Sequence, residues 1–139
     1  MVAGLLGFGA LAEAGWFQRE DAPFHVAQKQ VDIRVSGAVQ EEFGKAEVTC
    51  RRSGRSIRLE ASTYRDGEVH KTLLISYDDG SPPSALLWTP GLFQNREATG
   101  VSVDLDTRTV RLTDAPFTSP SGEVVRLDGA WRCDRWARR

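Results

Sequence analysis

"LLISYDDGSPPSALLW", residues 73–88, sets two apolar runs on either side of Asp78-Asp79-Gly80-Ser81-Pro82-Pro83. The acidic centre has two readings, a metal loop or a tight reversal between strands. Glycine adopts positive φ at little cost, and paired prolines stop a hydrogen-bonded ladder. A calcium loop would need further oxygen ligands nearby and a glutamate closing the loop, and the chain has neither at this point. The stretch therefore reads as a turn, and its flanks as two strands joined by a reversal.

Outward from that turn the period is two. "VDIRV" (31–35), "AEVTC" (46–50), "SIRLEAS" (56–62) and "VSVDL" (101–105) alternate apolar and polar residues, as half-buried strands do. "EVHKTLLISY" (68–77) alternates less cleanly because Leu73 and Leu74 are adjacent, which suits an interior strand or one covered on both faces. Ser53-Gly54, Asp66-Gly67, Asp79-Gly80, Thr107-Arg108 and Ser121-Gly122 each separate two such runs. "TPGLFQNREATG" (89–100) is the longest connection and is expected to be a mobile or binding loop. Asp104 and Asp106 form a second acidic pair, but on an alternating strand both point to solvent. No segment has helical periodicity. The pattern predicts an all-β fold, an antiparallel β-sandwich or a partly open barrel. A single β domain is expected over 31–139, after an export-like segment at 1–14 and an irregular lead-in at 15–30.

Cys50 and Cys133 are the two cysteines. In 46–50, Ala46, Val48 and Cys50 share a face; in 124–133, Val125, Leu127, Gly129, Trp131 and Cys133 do. Both sulfurs thus face the core side of their strands. Two inward cysteines in an exported chain predict a disulfide between an early and a late strand. A catalytic thiol fits poorly beside Trp131, and no pair of cysteines has zinc-ligand spacing. No metal or other cofactor is expected.

The chain has 139 residues, 40% hydrophobic and 27% charged, with a formal net charge of -1. Such a domain buries about two thirds of its extended surface, and its balance gives no global pull toward nucleic acid or acidic membranes. Fifteen of the eighteen basic residues are arginine, a usage typical of a GC-rich genome. Val2 to Leu11 is an uncharged apolar run followed by Ala12-Glu13-Ala14, a small-x-small pattern suited to signal-peptidase cleavage. The run is too short for a transmembrane span, which needs about 20 apolar residues. Gly7 to Ala12 formally matches a dinucleotide-binding fingerprint but lacks the strand before it and the βαβ pattern after it.

The sequence is poor in catalytic constellations. His25 and His70 are the imidazoles; His25 lies in the lead-in, and alternation puts His70 on the solvated face beside Thr72. No Gly-x-Ser-x-Gly elbow occurs. A sharper signal is basic. "RRSGRSIR" follows Cys50 and "RCDRWARR" surrounds Cys133. A disulfide would gather Arg51, Arg52, Arg55, Arg132, Arg135, Arg138 and Arg139 with Trp136 into one anion-binding patch. Its partners would be phosphate headgroups, an acidic glycan or an acidic protein surface, with nucleic acid not expected. Glu47, Asp128 and Asp134 are the nearest counter-charges in sequence. Trp88 and Trp131 lie on strand-like runs and are expected in the core.

The order of these features resembles a known family. Val35-Ser36-Gly37-Ala38-Val39 precedes a strand ending in Cys50, Asp79-Gly80-Ser81-Pro82-Pro83 forms a central turn, and a last cysteine stands at 133. This arrangement is similar to the mycobacterial nineteen-kilodalton lipoprotein antigen family over residues 31–133. The resemblance implies an exported, cell-envelope, disulfide-linked β domain without enzymatic activity, implicated in surface and host contact. Family members are anchored through a lipidated cysteine just after the signal segment, where this chain has Gly15, so lipid anchoring is not expected to carry over. The alternative expectation is a small-ligand or lipid carrier with a cavity inside a β-barrel. If the export reading holds, N-terminal sequencing of protein recovered outside the cytosol will begin at Gly15; intact Met1 in the cytosol would refute it.

Overall fold

A computed structural model describes residues 28–137. The export-like segment, the Gly7–Ala12 motif, His25, Arg138 and Arg139 lie outside the described residues. Nine strands follow one another: β1 (Gln28–Gly37), β2 (Glu41–Ser53), β3 (Ser56–Arg65), β4 (Glu68–Asp78), β5 (Ser84–Trp88), β6 (Leu92–Asn95), β7 (Val101–Asp104), β8 (Thr109–Thr118) and β9 (Val124–Arg132). The first strand begins three residues earlier than alternation indicated.

The strands pair antiparallel in the order β6-β5-β4-β3-β2-β1-β9-β8-β7, and β6 also meets β8 at Gln94 and Thr118. That last pair joins the ends of the row. The result is a closed eight-stranded barrel with β7 as an extra strand on β8: the fold is all-β as expected, and where a sandwich or a partly open barrel was expected the strands form a barrel that closes. Alternation cannot distinguish the two, because each buries every second side chain. A correction concerns 89–100. Leu92–Asn95 within that stretch is the strand that reaches β8, with Phe93 and Asn95 buried.

Turn chemistry explains the reversals. Gly54, Asp66, Gly67, Gly80, Arg108 and Gly122 all have positive φ. In the opening stretch the Ser81 amide donates to the Asp78 carbonyl oxygen at 2.8 Å, as a tight turn requires. Register slips bend the strands as closure demands, between Val31 and Arg34 on β1, Thr63 and Tyr64 on β3, and Leu112 and Ala115 on β8.

An eight-stranded barrel has an interior just wide enough for side chains to fill. Here Ile33, Leu59, Leu73, Ile75, Leu87, Val110, Phe117 and Leu127 fill it, all essentially without accessible surface. A ligand-sized hollow would leave the side chains of its wall accessible. Each such side chain contributes about 1.5–3 kcal/mol by leaving water. β1 and β9 approach closely at Gly129, whose φ is +137°; a Cβ there would collide with the Asp32 carbonyl oxygen.

Cys50 and Cys133 form the disulfide, with Cα atoms 6.2 Å apart and a sequence separation of 83. It ties the end of β2 to the residue after β9. Closing so long a loop restricts the unfolded chain by about 4–5 kcal/mol in the chain-entropy model. Replacing both cysteines with alanine should lower unfolding free energy by up to about that amount, read from denaturant midpoints. A double variant as stable as the parent would mean that the crosslink contributes nothing.

Candidate functional site

The two ends of the barrel differ in chemistry. At the end where β2 and β9 finish, the segment after β9 folds beneath the barrel. The Ala137 amide donates to the Cys50 carbonyl at 2.7 Å, and the Cys133 amide to the Arg108 carbonyl at 3.1 Å. Arg108 returns Nε to the Cys133 carbonyl at 3.1 Å and Nη2 to that of Asp134 at 2.8 Å. Lys29 Nζ donates to the Arg132 carbonyl at 3.0 Å and to Asp134 Oδ1 at 2.8 Å. That hydrogen bond, and then the Lys29 charge, hold the Asp134 carboxyl below the usual carboxylate range.

Of the expected arginines, the disulfide brings Arg51 and Arg132 near each other. Consecutive Cα atoms are about 3.8 Å apart, so with the disulfide between their neighbours Arg51 and Arg132 lie within roughly 14 Å of each other at Cα. Arg51, Arg132 and Arg135 are exposed, and none has an ion pair among the described residues. Arg51 faces Arg58 directly across the β2–β3 ladder, a like-charge pair that neighbouring anions would relieve. Arg52 is neutralised by Asp79 at 2.7 Å, and Arg55 Nη2 donates to the Asp79 carbonyl at 2.9 Å. The acid from the opening turn thus supplies the counter-charge, rather than Glu47 or Asp128. Asp128 instead accepts from the Asp114 amide at 2.8 Å. Glu47 lies against Tyr64, where burial first and this carboxylate second push the phenol up. Trp136 is half-buried against the core, leaving only part of its ring for a ligand.

The opposite end was not anticipated as a site. Lys71 Nζ lies 3.1 Å from Glu41 Oε1, and the lysine side chain is only 7% exposed. Its ammonium also stands 5.8 Å from the Phe43 ring centroid. Lys71 alternates in phase with Leu73 and Ile75, so it points inward like them. His70 corrects the alternation reading. Thr63 pairs with Lys71 and Tyr64 with Val69, which leaves His70 as the extra residue of a bulge. A bulge re-aims the inserted side chain. His70 Nε2 therefore reaches within 4.0 Å of Glu41 Oε1 and is buried. Thr63 Oγ1 and His70 Nε2 have no hydrogen-bond partner among the described residues.

The tryptophans divide. Trp131 is buried as expected, whereas Trp88 points outward on β5 and is 39% exposed, because Ala85 and Leu87 take the inward positions.

No family model matches this chain, and neither a curated protein nor a solved structure matches it.

The Glu41–Lys71 pair makes a stability prediction. Glu41→Ala leaves a buried ammonium without its acceptor and should cost about 1–3 kcal/mol. Lys71→Met keeps the stem packed and should cost less. In a double-mutant cycle the two losses should be strongly non-additive; simple additivity would show the pair to be uncoupled.

Proposed function

We propose that this chain is an exported, non-catalytic interaction domain of the cell envelope or extracellular space, binding anionic surfaces through its disulfide-closed basic end. The observation that carries the reading is the arginine cluster around Cys50–Cys133. Arg51, Arg132 and Arg135 sit exposed on segments held together by the crosslink and by the Ala137–Cys50 hydrogen bond. Such a patch focuses positive potential that the net charge of -1 conceals. The disulfide supports an oxidising, extracytoplasmic address. The resemblance to mycobacterial lipoprotein antigens points the same way, with surface contact as the activity.

The carrier reading has the closed barrel in its favour. Against it stands the apolar interior, where Leu59, Leu73, Leu87 and Leu127 leave no surface for a lipid chain. A filled barrel binds with its outside. No helix of the described residues is long and apolar enough to cross a membrane.

Heparin chromatography tests the basic end, with vesicles containing phosphatidylglycerol as a second arm to separate acidic glycan from phosphate headgroups. Retention should fall with salt, and Arg51→Ser with Arg132→Ser should elute at clearly lower salt while the disulfide stays intact. Unchanged retention in that variant would refute the reading.

A further inference from the structure

Closure leaves one strand of the described residues with a free edge. Each barrel strand has a partner on both sides, whereas β7 pairs with β8 alone. The β4–β5 hairpin does not extend to it, since the pairing of β5 with β6 ends at Ala85 opposite Asn95, before β7 begins. An edge strand presents unpaired N–H and C=O groups and is a template for another strand.

The register identifies those groups. In an antiparallel ladder, hydrogen bonds join register partners at every second pair. The Thr113 amide donates to the Gly100 carbonyl at 2.8 Å, so in the same phase Ser102 bonds to Arg111 and Asp104 to Thr109. Val101, Val103 and Leu105 then turn their strand groups away from β8. The Val101 amide is taken by the Ala98 carbonyl at 3.0 Å, in the turn before the strand. That leaves the carbonyls of Val101 and Val103 and the amides of Val103 and Leu105 without a partner among the described residues.

A second copy of the same strand satisfies all of them together. With Val103 opposite Val103 of the other copy on a two-fold axis, these two residues exchange both hydrogen bonds. Each Leu105 amide then meets the other copy's Val101 carbonyl. Side chains agree with this register. Val101 falls opposite Leu105 and Ser102 opposite Asp104, so no carboxylate faces another. Arg111, the β8 partner of Ser102, is exposed and has no ion pair among the described residues. It stands two strand spacings, about 10 Å, from the other copy's Asp104, within the combined reach of the two side chains. Sliding the register by two residues one way sets the Val103 carbonyl against the Val101 amide that Ala98 already holds. The other way sets Asp104 against Asp104. Val101, Val103 and Leu105 pack on the core with part of their surface still exposed, and pairing covers that remainder.

We propose that β7 is a homodimer edge, at which two copies of this chain join antiparallel through residues 101–105 into one continuous sheet. A single short strand buries less than the about 1,200 Å² of stable complexes, so the association is weak and concentration-dependent. The pairing uses neither Arg51 nor Arg132 and stands apart from the anion-binding reading.

Sedimentation equilibrium of the full chain from about 10 μM to about 1 mM should show monomer passing into dimer. Over that range the Val103 and Leu105 amides should gain protection from hydrogen exchange, while those of Ser102 and Asp104, already bonded to β8, change little. Val103→Pro removes the outward amide and spares the β8 ladder, as edge prolines do. It should weaken dimerisation by about tenfold or more with a dispersed spectrum. Ser102→Asp, an exposed change beside Arg111, sets carboxylate against carboxylate across the pair and should weaken it too. A monomer throughout the range, protection gained elsewhere than at Val103 and Leu105, or dimerisation indifferent to both variants would overturn the proposal.

Discussion

The ladder between β1 and β9 is the contact on which the rest of the molecule depends. Six strands in an up-and-down row would leave β1 as a bare edge, with its backbone amides and carbonyls exposed to pairing with other chains. The last strand covers it, from Asp32 opposite Ala130 to Gly37 opposite Val125. The approach is possible because Gly129 has no side chain where the Asp32 carbonyl passes. Once the chain's first and last strands are neighbours, β8 lies within reach of β6, the interior is enclosed, and the residue after β9 arrives beside the end of β2.

Enclosure then separates the chemistry. The interior is committed to aliphatic and aromatic packing, so polar function is displaced to the two ends and the outer face. At one end the disulfide and the backbone hydrogen bonds of Arg108, Lys29 and Ala137 fold the tail under the barrel. At the other, strand alternation carries Thr63 and Lys71 past the last apolar layer, and the bulge adds His70.

Much of this was legible in the sequence. The period-two runs at 46–50 and 124–133 located both cysteines on the inward face, and the turn-forming pairs Ser53-Gly54, Asp66-Gly67 and Asp79-Gly80 located the reversals. Four features were not legible, each for a physical reason. Closure rests on one registered pair between Gln94 and Thr118, a long-range contact with no local signature. The strand Leu92–Asn95 has four residues between Pro90-Gly91 and a turn-rich stretch, too few for periodicity to stand out. His70 defied strict alternation because a single inserted residue puts the two halves of a strand out of phase with each other. The Lys71–Glu41 pair is a contact across 30 positions, and a charged residue in a strand reads by default as exposed although Lys71 keeps the phase of Leu73 and Ile75.

The barrel also has a direction. β1 starts, and the segment after β9 finishes, at the same pole, beneath which Ala137 is held against Cys50. Anything joined to either side of the described residues, whether a leader, an anchor or an appended tag, therefore emerges among the arginines. Both ends of the described chain thus share the arginine pole, and the Lys71 pole lies at the far end of the barrel from each of them.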